Sequence, residues 1–165
     1  MRDLEKMCDE ALSIVRECCG NVVECIHRPL RIDRTHQRRW GCCKNLGYGD
    51  HIIEISEKVL DDAVPEDAAM SVVIHEILHA CEGGTYHRGK WQEYANKVNR
   101  KYPKYQISVS DGAEKFGINR DTISKHKIMC PSCGLTWYYM RETKYVKYAG
   151  AYKCAKCNTP LKKIY

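Results

Sequence analysis

The sequence predicts an α+β protein in which a small antiparallel sheet packs on a buried helix, followed by a separate β module near the C-terminal end. Three observations predict it. Apolar residues recur at helical spacing in three segments, short β-branched runs lie between the first two of these segments, and two CxxC pairs stand near the end. The predicted division is a first domain over residues 1–105, a linker with short helices over 106–127 and a Cys-rich ribbon over 128–165.

The composition is that of a soluble globular protein. Of 165 residues, 44% are hydrophobic and 29% are charged, which suits one core with a small appended module. No run approaches the roughly 18 uninterrupted apolar residues of a membrane span, and the opening Met-Arg-Asp-Leu-Glu-Lys is not an export signal. We therefore expect a cytoplasmic protein with no membrane partner.

The charge is divided unevenly along the chain. Residues 1–100 hold 14 Lys and Arg against 17 Asp and Glu, a balance of −3, whereas residues 101–165 hold 13 against 4, a balance of +9. Ten of the fifteen aromatic residues also lie in that last part. A basic segment rich in aromatic residues is typical of a nucleic-acid surface or of a solvated face, and charge alone does not separate the two.

The first predicted elements are a helix and two strands. Apolar side chains at helical spacing predict an amphipathic helix over residues 3–19, and Gly20 stands at its C-terminal end. The β-branched runs Val22–Ile26 and His51–Ile55 predict strands, which a basic loop over 34–40 separates. This pattern favours a small antiparallel sheet.

Two helices are predicted next. Residues 65–82 form the first, because Pro65 suits a helix start and Gly83-Gly84 suits a stop. Apolar residues cover so much of its circumference that the helix is expected to lie in the core. The second helix runs over Lys90–Arg100.

The core helix carries the pattern His75-Glu76-Ile77-Leu78-His79. Two imidazoles four residues apart lie about 40° from each other around a helix of 3.6 residues per turn, so both can reach one zinc ion. Glu76 lies beside them, where its carboxylate can take a proton from zinc-bound water and pass it to the leaving amine of a peptide bond. His87 follows past the Gly83-Gly84 break and is the predicted third ligand.

Glu82 and Glu93 are rival third ligands. The eight-residue spacing from His79 to His87 disfavours the metzincins, whose third His follows the second by six residues with a Gly between. The sequence does not identify the group that stabilises the transition state. Candidates chosen by proximity in the sequence are Tyr86, Arg38 and Arg39.

Two CxxC pairs with twenty residues between them have the layout of a closed, four-thiolate zinc ribbon. The runs Leu135–Tyr139 and Tyr145–Tyr148 predict the two strands of a hairpin within it. One catalytic and one structural Zn²⁺ are therefore expected. The predicted structural ligands are Cys130, Cys133, Cys154 and Cys157.

Seven further cysteines have a less specific interpretation. They lie mostly among apolar neighbours, where a free Cys behaves as a small hydrophobe, and are predicted to be buried. A second metal cluster on Cys42 and Cys43 is the alternative, although no partner pair at ligand spacing supports it. The seven are Cys8, Cys18, Cys19, Cys25, Cys42, Cys43 and Cys81.

Lys and Tyr alternate in the second half of the ribbon. Cations suit phosphates and aromatic rings suit exposed bases, so these residues are the candidates for binding DNA, with single strands favoured. The six residues are Lys144, Tyr145, Lys147, Tyr148, Tyr152 and Lys153.

These motifs resemble the SprT-like metallopeptidase family, which includes Spartan, a protease for DNA–protein crosslinks. The resemblance covers nearly the whole chain. It rests on His75-Glu-Ile-Leu-His79-Ala, on His87-Arg-Gly-Lys-Trp91, on Gly41-Cys42 followed by Ile53-Glu-Ile-Ser56, and on the zinc ribbon. The length is like that of short bacterial or phage-type members, and nothing matches the long tail of Spartan with its partner-binding motifs.

The resemblance implies a zincin-like metallopeptidase domain with an HExxH helix. It implies that His75, His79 and His87 bind the catalytic zinc and that Glu76 is the catalytic base. The first expected function is therefore a zinc metalloendopeptidase that acts on protein or peptide substrates, including DNA-associated or crosslinked proteins. The alternative is a non-catalytic, zinc-dependent nucleic-acid-binding or regulatory module, whose metal ions only hold the fold.

Overall fold

The computed structural model of the chain describes residues 1–36, 39–110, 112–117 and 124–165. These residues belong to two compact units, Met1–Gly117 and Ile118–Tyr165. The predicted domain limits at 105 and 128 stay a prediction. The beginning of the predicted linker packs on the first unit, because Phe116, at the end of a short 3₁₀ helix, is buried and stacks on Trp40 with ring centroids 4.0 Å apart. Residues 118–123 of that linker lie outside the described residues.

Three helices form much of the first unit, and they match the predicted helical segments. The N-terminal helix begins at Asp3, whose carboxylate accepts hydrogen bonds from the backbone N–H groups of Glu5 and Lys6. Both outer helices contact the middle one, of which ten of fourteen residues are buried, so it is a rigid element inside the core. The helices are α1 Leu4–Cys19, α2 Glu66–His79 and α3 Lys90–Lys101.

The middle helix ends three residues before the predicted limit at 82. The N–H of Ala80 donates to the carbonyl of Ile77 at 2.9 Å, and the N–H of Gly84 donates to the carbonyl of Cys81 at 2.7 Å. These tight turns replace the regular helical bonds, so the chain folds back directly after His79.

The sheet of the first unit is mixed. β3 pairs antiparallel with β4, from Gly41 opposite Ile55 to Gly47 opposite Asp50. β1 and β2 run parallel to β4 along its other edge, β1 at the start of β4 and β2 at its end. The strands are β1 Cys25–Ile26, β2 Arg31–Asp33, β3 Gly41–Gly47 and β4 Asp50–Ser56, and a 3₁₀ turn, Glu57–Leu60, follows. The predicted antiparallel sheet is therefore wrong for two of the three pairings.

Short strands and small residues explain the error. Strands of two and three residues are too short to show an alternation of apolar and polar residues. The sequence therefore does not indicate whether β1 and β2 run parallel or antiparallel to β4. β3 begins with Gly41, Cys42 and Cys43, which include no β-branched residue, so residue types alone do not predict this strand. These residues line a cavity, where a close approach of the backbone favours small side chains.

The second unit is a three-stranded antiparallel sheet, ordered β6-β5-β7, with one turn of helix. Its elements are β5 His126–Met129, β6 Thr136–Tyr139, α4 Lys144–Lys147, a 3₁₀ turn Ala149–Ala151 and β7 Lys162–Lys163. The core is small and includes two of the metal-ligand candidates. It consists of Ile128, Cys130, Val146, Ala149, Cys154 and Leu161.

The predicted strand over Tyr145–Tyr148 is wrong, because the chain is helical there. The Thr143 hydroxyl accepts a hydrogen bond from the Val146 N–H at 3.3 Å and so caps the turn. The turn places Val146 in the core. Local capping and burial therefore prevail over the β-propensity of the aromatic residues.

None of the helices in the described part of the chain combines the length and the apolar character that a bilayer crossing requires.

Candidate metal centres

Two imidazoles of the first centre project from α2. His75 and His79 are one helical turn apart, with ring centroids 5.1 Å from each other, and Glu76 lies between them in the sequence. Because α2 is buried along most of its length, these side chains start from a fixed backbone. Burial also lowers the pKa of His79, which favours the neutral ring that a metal binds.

Backbone carbonyls fix the orientation of both rings. Nδ1 of His75 lies 3.0 Å from the carbonyl oxygen of Ser108, and Nδ1 of His79 lies 2.9 Å from that of Gly84. A carbonyl oxygen can only accept, so each Nδ1 carries the proton and each neutral ring presents the lone pair of Nε2. Hydrogen bonds of this kind orient the histidine ligands of metal sites.

Gly84 reaches His79 only because it has no side chain. A Cβ on Gly84 would stand 2.0 Å from the carbonyl oxygen of Leu78 and 2.9 Å from that of Cys81. The turn after α2 is therefore closed to any larger residue. The same turn returns the chain over α2 and brings His87 to the other two histidines.

The third imidazole completes a convergent cluster. Nε2 of His87 lies 2.9 Å from Nε2 of His75 and 2.9 Å from Nε2 of His79. One Nε2 of His87 has at most one proton to donate, so these two contacts cannot both be hydrogen bonds. At least one of them therefore holds two nitrogens close together with no proton between them, an arrangement that a cation between the nitrogens would stabilise.

The cluster fits zinc. Two ligands of one tetrahedral zinc, each about 2.1 Å from the ion, stand roughly 3.4 Å apart, close to the spacing of these nitrogens. Three neutral imidazoles with an open fourth position are a donor set of catalytic zinc sites. Burial lowers the pKa of His87 as well, in the same direction as that of His79. The rivals Glu82 and Glu93 are not in the cluster; the latter pairs with Lys90 at 2.9 Å.

Glu76 is buried against β3. Its pKa is raised to about 8 by desolvation, which outweighs a backbone hydrogen bond from Cys43 and the positive charge of Arg39. Gly41 makes this position possible, because a Cβ there would stand 2.7 Å from both Cγ and Oε1 of Glu76. A strand residue without a side chain therefore makes room for the carboxyl group.

A cavity of about 310 Å³ joins these groups. The three histidines and Glu76 line one side of it, and β3 and the start of β4 line the other. On that second side the buried imidazole of His51 lies 3.6 Å from Sγ of Cys43 and 2.6 Å from Oε2 of Glu24. The remaining lining residues include Cys42, Asn45 and Thr85.

Trp91 packs beneath the histidine cluster. Its ring centroid lies 4.8 Å from those of His75 and His87 and 5.6 Å from that of His79. The indole is 1% exposed, and its N–H has no hydrogen-bond partner among the residues that the structure describes. One aromatic side chain therefore contacts all three candidate ligands.

Neither of the two described candidates for transition-state stabilisation lines the cavity. Tyr86 is exposed, with the guanidinium of Arg88 5.3 Å from its ring centroid. Arg39 is engaged with Asp33 at 3.1 Å and with Glu54 at 2.9 Å. Arg38 lies outside the described residues.

The second candidate centre consists of two knuckles with the same backbone pattern. In each, the N–H four residues after the first Cys donates to the carbonyl of that Cys, from Gly134 to Cys130 at 2.9 Å and from Asn158 to Cys154 at 2.8 Å. Gly134 and Asn158 both have positive φ, 71° and 57°. The two turns thus present their sulfurs in the same way.

The four sulfurs converge. Sγ of Cys130 lies 3.3 Å from Sγ of Cys157, and Sγ of Cys133 lies 3.6 Å from Sγ of Cys154. Hydrogen bonds from the side chain and the backbone of Thr159 lower the pKa of Cys157 to about 6, which favours the thiolate. A closed set of four thiolates is the donor set of structural zinc.

The seven other cysteines lie in varied surroundings. Cys8 and Cys81 are buried, as predicted. The prediction is wrong for Cys25, which is exposed on β1, and Cys18, Cys19, Cys42 and Cys43 are only half-buried. Cys42 and Cys43 line the cavity and are not part of a metal-type cluster in the described residues. Burial raises the pKa of Cys43 to about 12, so its sulfur stays a thiol.

The candidate nucleic-acid residues of the second unit lie in or close after α4. Lys144, Tyr145, Lys147, Tyr148 and Lys153 are exposed, and Tyr152 is half-buried. The rings of Tyr145 and Tyr152 are 4.5 Å apart, and the Lys147 ammonium lies 5.4 Å from the ring centroid of Tyr148.

Comparison with known proteins supports one family. The model of the SprT-like family matches residues 22–111, which is more than half of the chain and includes α2 and all three histidines. Neither the curated proteins nor the solved structures gave a match. This family is metallopeptidase-like, and zinc suits both the family and the four-cysteine cluster. The chain belongs to the SprT-like family.

Proposed function

We propose that the first unit is a zinc-dependent endopeptidase. The observation that supports it best is the convergence of three imidazole Nε2 atoms in one cavity with a buried carboxyl group. Two of these nitrogens present lone pairs because backbone carbonyls hold the other side of each ring. A site with three ligands and an open side suits catalysis better than a purely structural role.

The residues divide the work of hydrolysis between them. Zinc held by the three nitrogens would supply a Lewis acid that polarises a peptide carbonyl and acidifies water. In its ionised form, Glu76 accepts a proton from the attacking water and delivers it to the leaving nitrogen as the C–N bond breaks. The Cys43 N–H holds the Glu76 carboxyl group in place.

β3 offers a surface for an extended peptide. It pairs with β4 on one edge and has no strand on its other edge among the described residues. The Cys43 N–H turns to this second edge, where it meets Glu76, and alternate residues of an antiparallel strand share that direction. A substrate strand added here would pass in front of the histidines, with specificity set by alternate side chains.

Replacing Glu76 by Gln tests the assigned base. The amide has the same shape but cannot take the proton, so cleavage of an unfolded protein should fall about 10²–10⁴-fold. Zinc content, measured by mass spectrometry of the metal, should be unchanged.

Glu82→Gln is the matched control, because it removes a nearby carboxylate outside the cluster. It should cleave like the natural chain. Full cleavage by Glu76→Gln would disprove the role of the base. If the natural chain, fully loaded with zinc, cuts neither free nor DNA-bound proteins with or without single-stranded DNA, the non-catalytic zinc module is the better account.

We also propose that the second unit binds single-stranded nucleic acid and so favours DNA-associated proteins as substrates. A hollow of about 430 Å³ has Lys147, Lys162, Lys163 and Tyr148 in its wall. Lys163 is paired with Glu142 at 3.0 Å, and the ammonium groups of Lys147 and Lys162 beside an exposed aromatic ring suit a backbone phosphate and a stacked base. A labelled single-stranded oligonucleotide should bind more tightly than the matching duplex, and equal weak binding at low salt would contradict the proposal.

A further inference from the structure

A third group of metal-ligand side chains lies in the first unit, on the pair of strands β1 and β4. Sγ of Cys25, a ring nitrogen of His27 and a carboxylate oxygen of Asp50 all lie within 4.8 Å of one another. None of these residues is within two positions of the three clustered histidines or lines the cavity. The proposed peptidase makes no use of them.

Strand pairing explains why they meet. Cys25 and His27 are two residues apart, so their side chains lie on the same face of the chain. Asp50 is opposite Cys25 in the parallel register. The Cys25 N–H donates to Gly49 at 3.0 Å and the His27 N–H donates to the carbonyl of His51 at 2.8 Å, so the backbone is fixed on both sides of the group. When a ligand binds, only the side-chain torsions of these residues have to become fixed.

The spacing of the donors suits a bound cation. Nε2 of His27 lies 3.6 Å from Oδ1 of Asp50, which is too long for a hydrogen bond. Two ligands of one tetrahedral zinc stand roughly 3.4 Å apart when each lies about 2.1 Å from the ion. The Asp50 carboxylate also accepts a hydrogen bond from the Cys25 thiol, which raises the pKa of that thiol. A cation between them would take the place of this proton.

We propose that Cys25, His27 and Asp50 bind a zinc ion at a third site, which fastens the short strand β1 to β4. One thiolate, one imidazole and one carboxylate match the borderline-soft character of zinc, and their two negative charges balance its charge. Cys25 and His27 are exposed, so this ion exchanges with solvent more readily than one held by four thiolates. Glu24, the residue before Cys25, accepts a hydrogen bond from His51, so the fastened strand also supports the cavity wall.

Cobalt titration tests the site with the protein as it exists. Zinc-loaded full-length protein is dialysed to remove exchangeable metal and then titrated with Co²⁺. We expect one added equivalent of cobalt, with a near-ultraviolet thiolate-to-cobalt absorption band, while the zinc content stays constant. Cys25→Ser should lose the band, and Asp50→Asn should weaken cobalt binding at least about tenfold, as expected when a contact to the metal is lost.

Cys18→Ser is the matched control, a partly exposed thiol that belongs to none of the metal-type clusters in the described residues, and it should titrate like the natural chain. Absence of the band in the natural chain would overturn the proposal. The same band in Cys25→Ser, or a loss of zinc equal to the cobalt gained, would also overturn it, because the cobalt would then occupy another site. Melting curves verify that each variant is folded. If Cys25→Ser does not fold, Asp50→Asn still tests the site. No peptidase activity enters this test.

Discussion

The histidine cluster and the cysteine cluster each bring their donor atoms together, but they differ in how they relate to the hydrophobic core around them. The histidines project from α2, a helix whose position the core of the first unit already determines, and they open onto a cavity. The cysteines form part of their own core, since Cys130 and Cys154 are among its six buried residues. A metal site on a domain that folds without the metal can leave one coordination position open. A metal site on which folding depends has all its coordination positions filled by protein ligands.

This difference predicts opposite responses to metal loss. Removing the ion from the histidines should cost activity and leave the first unit folded. Removing it from the cysteines should cost the fold itself, because so small a core rarely supports a module without a metal. The predictions below test this contrast, beginning with the largest effect.

The largest effect is expected for Cys154→Ser. Structural zinc contributes apparent free energies of about 10–16 kcal/mol in small zinc modules, so loss of a buried ligand should unfold the second unit. Hydrogen exchange should rise over residues 124–165 and stay slow in the helices of the first unit. Cys18→Ser should leave both patterns unchanged, and slow exchange throughout Cys154→Ser would show that the small core suffices.

His87→Ala should have the opposite result. Its ring is on an exposed loop, so the melting temperature should change little, while one equivalent of zinc is lost and cleavage falls at least about 10²-fold. Calorimetry, zinc content and a protease assay measure the three quantities. His36→Ala, an exposed histidine outside the clusters, serves as the control. Unfolding of the first unit in His87→Ala would contradict the expectation that this unit, unlike the second, stays folded without its metal.

Gly41→Ala should impair the proposed base Glu76 without affecting zinc binding. The new Cβ would stand 2.7 Å from Glu76, so the carboxyl group must move, and a displacement of about 1 Å costs roughly 10²-fold in rate. We expect kcat to fall with zinc content and KM nearly unchanged. Gly150→Ala, whose Cβ would meet only the Leu161 carbonyl at 4.0 Å, should be neutral. Unchanged kcat in Gly41→Ala would mean that Glu76 acts from another position.

The smallest effect is expected for Lys147→Ala. If its ammonium contacts a phosphate, the slope of log K against log salt for single-stranded DNA should decrease by about 0.7, with no change in sequence preference. Fluorescence anisotropy at several salt concentrations measures this slope. Lys6→Ala, in the first unit, should leave the slope unchanged, and an equal decrease in both variants would indicate only a general charge effect.

The three helices of the first unit and the positions of the histidines on α2 can be predicted from the sequence because those signals are local. The apolar run of α2, its Pro65 start and the His75-Glu76 pattern can all be read from neighbours in the chain. The position of His87 in the sequence, after the Gly83-Gly84 break, predicts that it meets the two histidines of α2. The structure shows that the turn at Gly84 brings them together.

The parts that sequence reasoning missed depend on backbone groups and on distant pairing. The carbonyls of Ser108 and Gly84 and the N–H of Cys43 hold site residues, yet a backbone group has no signature in a sequence. The sequence predicts His51 only as a strand residue, because its link to Glu24 arises when β1 and β4 pair. The sequence signal that points to His51 is a polar residue at the start of the apolar run His51–Ile55, since a buried polar side chain needs a partner.

The contact of Trp91 with all three imidazoles has an optical consequence. Indole emission responds to charge and to electron acceptors close to the ring, and the ring centroids of the three candidate ligands lie 4.8 to 5.6 Å from that of this indole. With Trp40→Phe and Trp137→Phe in the background, the chain would have a single emitting indole beneath the metal centre. Ion occupancy could then be followed in real time, without a label, during binding, exchange and turnover.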